Sequence, residues 1–175
     1  MKGLEAVLSR RSIRKYTDQP VPDEVVKQLL EAAMSAPSAN NKQPWHFVVI
    51  RDREILDAIP AFHPYSRMLK EAALAILVCG DTQSQTLEGY WVQDCSAATQ
   101  NILIAINALG LGGVWLGIYP RDERVEGIRK LVELPDHIMP LSLISIGHPA
   151  EKLPASNRYD ASRVHHNKWQ REIPA

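Results

Sequence analysis

No stretch of this sequence supplies the run of roughly 20 apolar residues that a membrane-spanning helix needs. The opening Met1-Lys2-Gly3-Leu4 likewise lacks the apolar core and small-residue cleavage site of a secretory signal, so a cytoplasmic protein with no membrane partner is expected. An excess of charge is missing too. Twenty basic residues balance twenty acidic ones, which denies the chain the broad basic face that nucleic-acid binding uses. Cysteine is scarce. Cys79 and Cys95 form no Cys-x-x-Cys pair; the first closes an apolar run and the second falls in a helical pattern, which predicts two buried free thiols. Familiar nucleotide and hydrolase motifs are absent. There is no G-x-G-x-x-G at a strand-to-helix turn, no phosphate loop ending in Gly-Lys-Ser/Thr, and no G-x-S-x-G around Ser84 or Ser96; Rossmann cofactor binding, nucleotide hydrolysis and serine-hydrolase chemistry are unsupported. His165 and His166 are adjacent rather than spaced along one helical face, so no metal is expected.

What is present is the composition of an ordinary globular protein. With 45% hydrophobic and 23% charged residues, residues 1–175 suffice for one domain with its own core, but not for separate cofactor and substrate domains. Leu4, Val7 and Leu8 predict a short helix from Gly3 to Ser9. Val25, Val26, Leu29, Leu30, Ala33 and Met34 predict a second, opened by Pro22 as its first residue, with Asp23 and Glu24 at its positive end, and closed near Ser35. His46–Ile50 reads as a strand, and Asp52 as the cap of a brief helix through Ile55, Leu56 and Ile59. Leu74–Val78 is apolar on both faces, which predicts a central strand covered on both sides. The longest helical pattern runs from Trp91 to Leu109, with Gly110 as its stop. A strand over Gly113–Gly117, a helix carrying Val125, Ile128, Leu131 and Val132, and a strand through Leu141, Leu143, Ile144 and Ile146 follow. The predicted class is α+β, with a mixed sheet flanked by helices. Residues 151–175 combine prolines and polar residues without periodicity and are read as an arm reaching onto a partner subunit, with a frayed terminus as the competing reading.

Three constellations carry possible chemistry. Arg10, Arg11 and Arg14, with Ser12 among them, suit a phosphate monoester through charge-assisted hydrogen bonds, or equally a solvated basic cluster at a helix end. The loop Ala36-Pro37-Ser38-Ala39-Asn40-Asn41-Lys42-Gln43-Pro44-Trp45 offers amides, each both donor and acceptor, suited to the pyrimidine edge of a flavin; an ordinary turn explains Ala39 and Asn40 as well. In Gly110-Leu111-Gly112-Gly113-Val114-Trp115-Leu116-Gly117 the glycines let backbone approach a flat ligand, or simply cap a helix and open a strand.

Arg10-Arg11-Ser12-Ile13-Arg14-Lys15-Tyr16, then Ala36-Pro37-Ser38 with Asn41-Gln43-Pro44-Trp45-His46-Phe47, then Gly112–Gly117, and lastly Gly147-His148-Pro149 resemble the FMN-dependent nitroreductase family, in its short form, over nearly the whole chain. The resemblance implies an intertwined α+β homodimer with C-terminal arm exchange and two FMN sites, each lined by both chains. It implies that Arg10 and Ser12 contact the FMN phosphate, with Arg11 beside them and Arg158 joining from the arm. Arg14 is implied near the N1–O2 edge, where positive charge favours the reduced flavin. Pro37, Ser38 and Ala39 match the ring-contacting turn, and Asn41 and Gln43 the amides, some of which reach the flavin of the opposite subunit. Backbone N–H groups at Leu116 or Gly117 are implied near flavin N5, with Trp115 close by. No side chain is required as an acid or base: hydride passes from NADH or NADPH to N5, and a nitroaromatic, quinone or similar small electron-poor acceptor then takes the nicotinamide's place, in ping-pong order. Enoate reduction, reductive dehalogenation and a non-catalytic FMN carrier or sensor fit the same residues. The arginine loop and the amide loop are expected to converge on one flat anionic molecule. His63-Pro64-Tyr65 and Tyr90-Trp91 suit a channel border and plain aromatic packing equally.

Overall fold

The computed structural model describes residues 3–84, 89–154 and 156–169. Along them run α1 (Gly3–Ser9), α2 (Asp23–Met34), β1 (Trp45–Ile50), α3 (Arg53–Ala58), β2 (Leu74–Asp81), α4 (Tyr90–Ala108), β3 (Gly112–Gly117), α5 (Asp122–Leu131) and β4 (Ile138–Gly147), with 3-10 turns at Ala39–Asn41, Ile59–Ala61, Arg67–Lys70 and Ala161–Arg163. Local chemistry sets the ends of these elements. Pro22 is extended and stands just outside α2, so the acidic pair Asp23 and Glu24 forms the helix's first turn. Asp52 caps α3 with a carboxylate that accepts from the N–H groups of Glu54 and Ile55. After α4, Gly110 turns left-handed at φ 76°, a conformation open to a residue without a Cβ.

The strands form one sheet in the order β1-β2-β4-β3, and each neighbouring pair is antiparallel. The expected mixed sheet is thereby corrected: among the described residues, parallel pairing is confined to an isolated bridge between Ser12 and Gly113. The apolar run of β2 reports burial on two faces, which flanking helices provide here without parallel strands. Leu74, Ile76 and Val78 enter a core with Leu29 and Ala33 of α2 and Ala98 and Ile102 of α4. Ala75, Leu77 and Cys79 enter the opposite core, with Leu56 of α3, Leu69 and Ile128 of α5. Pro140 is tolerated inside β4 because the β2–β4 register shifts at Val78/Cys79, where a residue lacking an N–H breaks no regular pair. Cys79 and Cys95 are buried free thiols, and burial pushes both up to about 12. No helix among the described residues is long and apolar enough to cross a membrane.

Two further features position the site. Helix α4 lies so close to β3 that a Cβ on Gly113 would sit 2.9 Å from Ile106 Cδ1. After β4 the chain runs back along the loop that follows α1: Thr17 N–H donates to His148 O and Ala150 N–H to Lys15 O, both at 2.9 Å. This zipper carries the C-terminal segment past the arginine cluster. Beyond it, the hydrogen bonds of residues 156–169 stay within the segment, and Tyr159 and Trp169 are 77% and 81% exposed.

Candidate functional site

The arginine loop lies along the free edge of β3. Ile13 N–H donates to Gly113 O at 3.1 Å, which seats Ser12 against the strand. Arg10 has its pKa lowered by burial, then by the positive charges of Arg158 and Arg11. None of the ion pairs among the described residues engages Arg10, Arg14 or Arg158. Arg11 differs from its neighbours. Its Nε donates to Pro154 O at 2.9 Å, and its Nη1 to Leu8 O at 3.0 Å and Arg10 O at 2.6 Å, so it ties the end of α1 to the C-terminal segment. Its Nη2 is buried without a partner. Arg14 donates its N–H to Glu151 Oε1 at 2.7 Å.

Further along the same edge, ladder geometry decides which backbone groups are available. In an antiparallel ladder a residue directs both its N–H and its C=O to one side, and sides alternate along the strand. Gly113 O accepts from Ile13, outside the sheet, so Gly113, Trp115 and Gly117 all face away from β4. Gly117 O agrees, accepting from His63 Nε2 at 3.1 Å and Arg124 Nη1 at 2.8 Å. The N–H groups of Trp115 and Gly117 are therefore directed off the sheet edge, whereas the Leu116 side chain packs into the core. Beside this edge lies a cavity of about 450 Å³, lined by Arg14, His63, Tyr65, Arg67, Trp115, Gly117 and Arg124 among others. Burial lowers the pKa of His63, Arg124 lowers it further, and the bond to Gly117 works the other way. Because Nε2 donates to a carbonyl, Nδ1 is the acceptor nitrogen; it is buried without a partner.

The amide loop sits at the opposite edge, before β1. Asn40, Asn41 and Gln43 all adopt left-handed φ, at 50°, 56° and 50°, an arrangement that asks for compensating contacts. These are present: Ser38 Oγ accepts from Gln43 N–H at 2.9 Å, Asp94 Oδ1 of α4 from Ala39 N–H at 3.0 Å, and Asn41 Oδ1 from Gln43 Nε2 at 3.0 Å. Three strand spacings, about 14 Å in all, separate the two edges. A single chain thus groups Arg10, Arg11, Ser12, Arg14, Trp115, Leu116, Gly117 and Arg158 on one side, and Pro37, Ser38, Ala39, Asn41 and Gln43 on the other. The expected convergence of both loops does not occur within one subunit, because β1 and β3 are the two outer strands. His63, Arg67 and Arg124 line the cavity but stand outside the motifs read from the sequence. Only the His63-Pro64-Tyr65 segment hinted at them.

The model of the nitroreductase family matches this chain over residues 7–92 and 63–148. The chain belongs to the nitroreductase family. A protein of Methanothermobacter thermautotrophicus, provisionally named NADH dehydrogenase/NAD(P)H nitroreductase, is 52% identical over 169 residues, covering 97% of this chain and 88% of that protein. A crystal structure from Parabacteroides distasonis, under the same provisional name, superposes with a TM-score of 0.92 at 46% identity, covering 95% of this chain and 98% of that one. A provisionally named nitroreductase of Desulfovibrio desulfuricans, solved in complex with FMN, gives a TM-score of 0.83 at 36% identity, covering 97% and 99%. The nitroreductase fold of this chain suits FMN on two counts. An orphaned buried guanidinium nitrogen at Arg11 stands in a cluster of like charges, which a phosphate dianion would relieve. At the other end, a Cβ on Gly117 would meet nothing within 4 Å, so bare backbone faces the cavity and a flat ring has room to approach.

Proposed function

We propose that this nitroreductase is an FMN-dependent NAD(P)H oxidoreductase of the cytoplasm that reduces nitroaromatics, quinones or similar small electron-poor acceptors in ping-pong order, as a homodimer. The observation that carries the reading is the outer edge of β3: off-sheet N–H groups at Trp115 and Gly117, a cavity beside them, and a guanidinium cluster at the far end. Arg10, Ser12 and Arg158 would hold the phosphate, with Arg11 Nη2 adding a donor. When bound, FMN supplies the two-electron carrier between a nicotinamide and an acceptor. Arg14 and Arg67 place positive charge in the cavity, which favours electron uptake by a bound ring. Trp115, about a third exposed, offers an aromatic face at the same edge. The amide loop lies at the other edge of its own sheet, before β1. In a dimer, Pro37, Ser38, Ala39, Asn41 and Gln43 of one subunit would complete the site of the other, and the exposed aromatics of residues 156–169 would pack across the pair. Two unpaired thiols suit a reducing compartment.

The visible spectrum of the freshly purified protein tests the cofactor, and acceptor-dependent oxidation of NADH and NADPH tests the activity. Flavin bands released on denaturation, together with turnover on a nitroaromatic or quinone, are expected. A colourless protein that takes up no added FMN overturns the reading.

A further inference from the structure

Glycine at position 117 leaves its backbone free to rotate, since no Cβ restricts it, yet its N–H is one of the two that face the cavity edge. Its carbonyl is held from two elements at once. His63 reaches it from the segment between α3 and β2, and Arg124 from the first turns of α5, at 3.1 and 2.8 Å. Two donors occupy both acceptor positions of that oxygen. Both donors also flank one ring, that of Tyr65. His63 is 1% exposed and meets the Tyr65 ring edge-on, with centroids 6.4 Å apart; the Arg124 guanidinium lies 5.6 Å over the same ring. The hold therefore replaces, through tertiary contacts, the restraint that a side chain at residue 117 would have given.

We propose that His63 and Arg124 are positioning residues for hydride transfer: by gripping the Gly117 carbonyl they fix the direction in which the Gly117 N–H enters the cavity, and with it the seating of the flavin ring. The inference rests on the FMN reading above. Neither side chain is asked to touch the reacting atoms. Their contribution is geometric, and misplacements on the order of 1 Å are enough to slow a reaction by about a hundredfold.

The test uses the full-length holoprotein and compares His63→Phe, Arg124→Met and the double variant with His63→Gln, whose amide keeps a donor for the carbonyl. Three quantities are read: the stopped-flow rate of flavin reduction by NADH or NADPH, the FMN dissociation constant by fluorescence titration, and hydrogen exchange of the Gly117 amide. The double variant is expected to slow reduction by roughly ten- to a hundredfold and to lose protection at Gly117. FMN affinity should change by no more than about threefold, because the phosphate end is untouched. His63→Gln should stay near wild type in all three. Unchanged reduction rates with unchanged Gly117 protection overturn the proposal, and so does slowing that merely follows a loss of FMN affinity while Gly117 exchange stays the same. Should the double variant fail to fold, the single variants decide on the same criteria. A wild-type protein that binds no FMN defeats the proposed function itself, and that result is visible before any variant is made.

Discussion

Arg10 holds a partly buried guanidinium under pressure from Arg158 and Arg11, whereas Arg11 commits three donor contacts to backbone carbonyls. Adjacent arginines should therefore answer differently to the same substitution. Arg10→Ala is expected to weaken FMN binding by about 1.5–3 kcal/mol, the worth of a charge-assisted contact, without altering the fold. Arg11→Ala should lower the melting temperature as well, since it releases the C-terminal segment from α1. Fluorescence titration and thermal denaturation, run on both variants, separate the two outcomes. His63 gives a prediction in pH. Its folded-state pKa lies below the unfolded value near 6.5, so the unfolded chain binds the proton more readily. The corresponding stability is fully present above about pH 6.5 and is lost as pH falls through the lower, folded-state value. Replacement by Gln should flatten that acid limb in denaturation curves recorded as a function of pH.

At the scale of elements, α4 links the core to the amide loop. Asp94 is buried and accepts from Ala39 N–H, holding a loop with three left-handed residues. Asp94→Ala should lower stability by about 1.5–3 kcal/mol, and a melting-temperature fall of about 3–12 °C is the measurement. On the opposite edge, Gly113→Val should destabilise by about 1–3 kcal/mol through overpacking against Ile106, also read by thermal denaturation. Element type and extent are legible in the sequence where apolar spacing is strong. The helix expected over Trp91–Leu109 forms at Tyr90–Ala108, and the strand expected over His46–Ile50 forms at Trp45–Ile50. Strand direction is not legible. An apolar run such as Leu74–Val78 reports that both faces are covered, and the same pattern serves a parallel sheet or this antiparallel one. In the site, the arginine cluster and the glycine-rich strand can be read from local chemistry. His63, Arg67 and Arg124 cannot, because their meaning arises only when the segment between α3 and β2 folds back against the end of β3 and the start of α5 to line one cavity.

At the scale of the molecule, the hydrogen bonds of residues 156–169 stay within that segment, and Tyr159 and Trp169 are exposed. Removal of residues 156–175 should leave the fold intact, since none of the hydrogen bonds of residues 156–169 reaches the body, while weakening both self-association and FMN retention. Sedimentation velocity and flavin release measure the two effects. The width of the sheet has a genetic consequence. If each pocket is assembled from the outer strand of one copy and the far loop of another, a copy crippled at Arg10 and a copy crippled at Asn41 are defective for different reasons. Mixed pairs of the two would contain one pocket damaged twice and one left whole, so two dead proteins co-expressed in one cell should recover part of the activity that neither has alone.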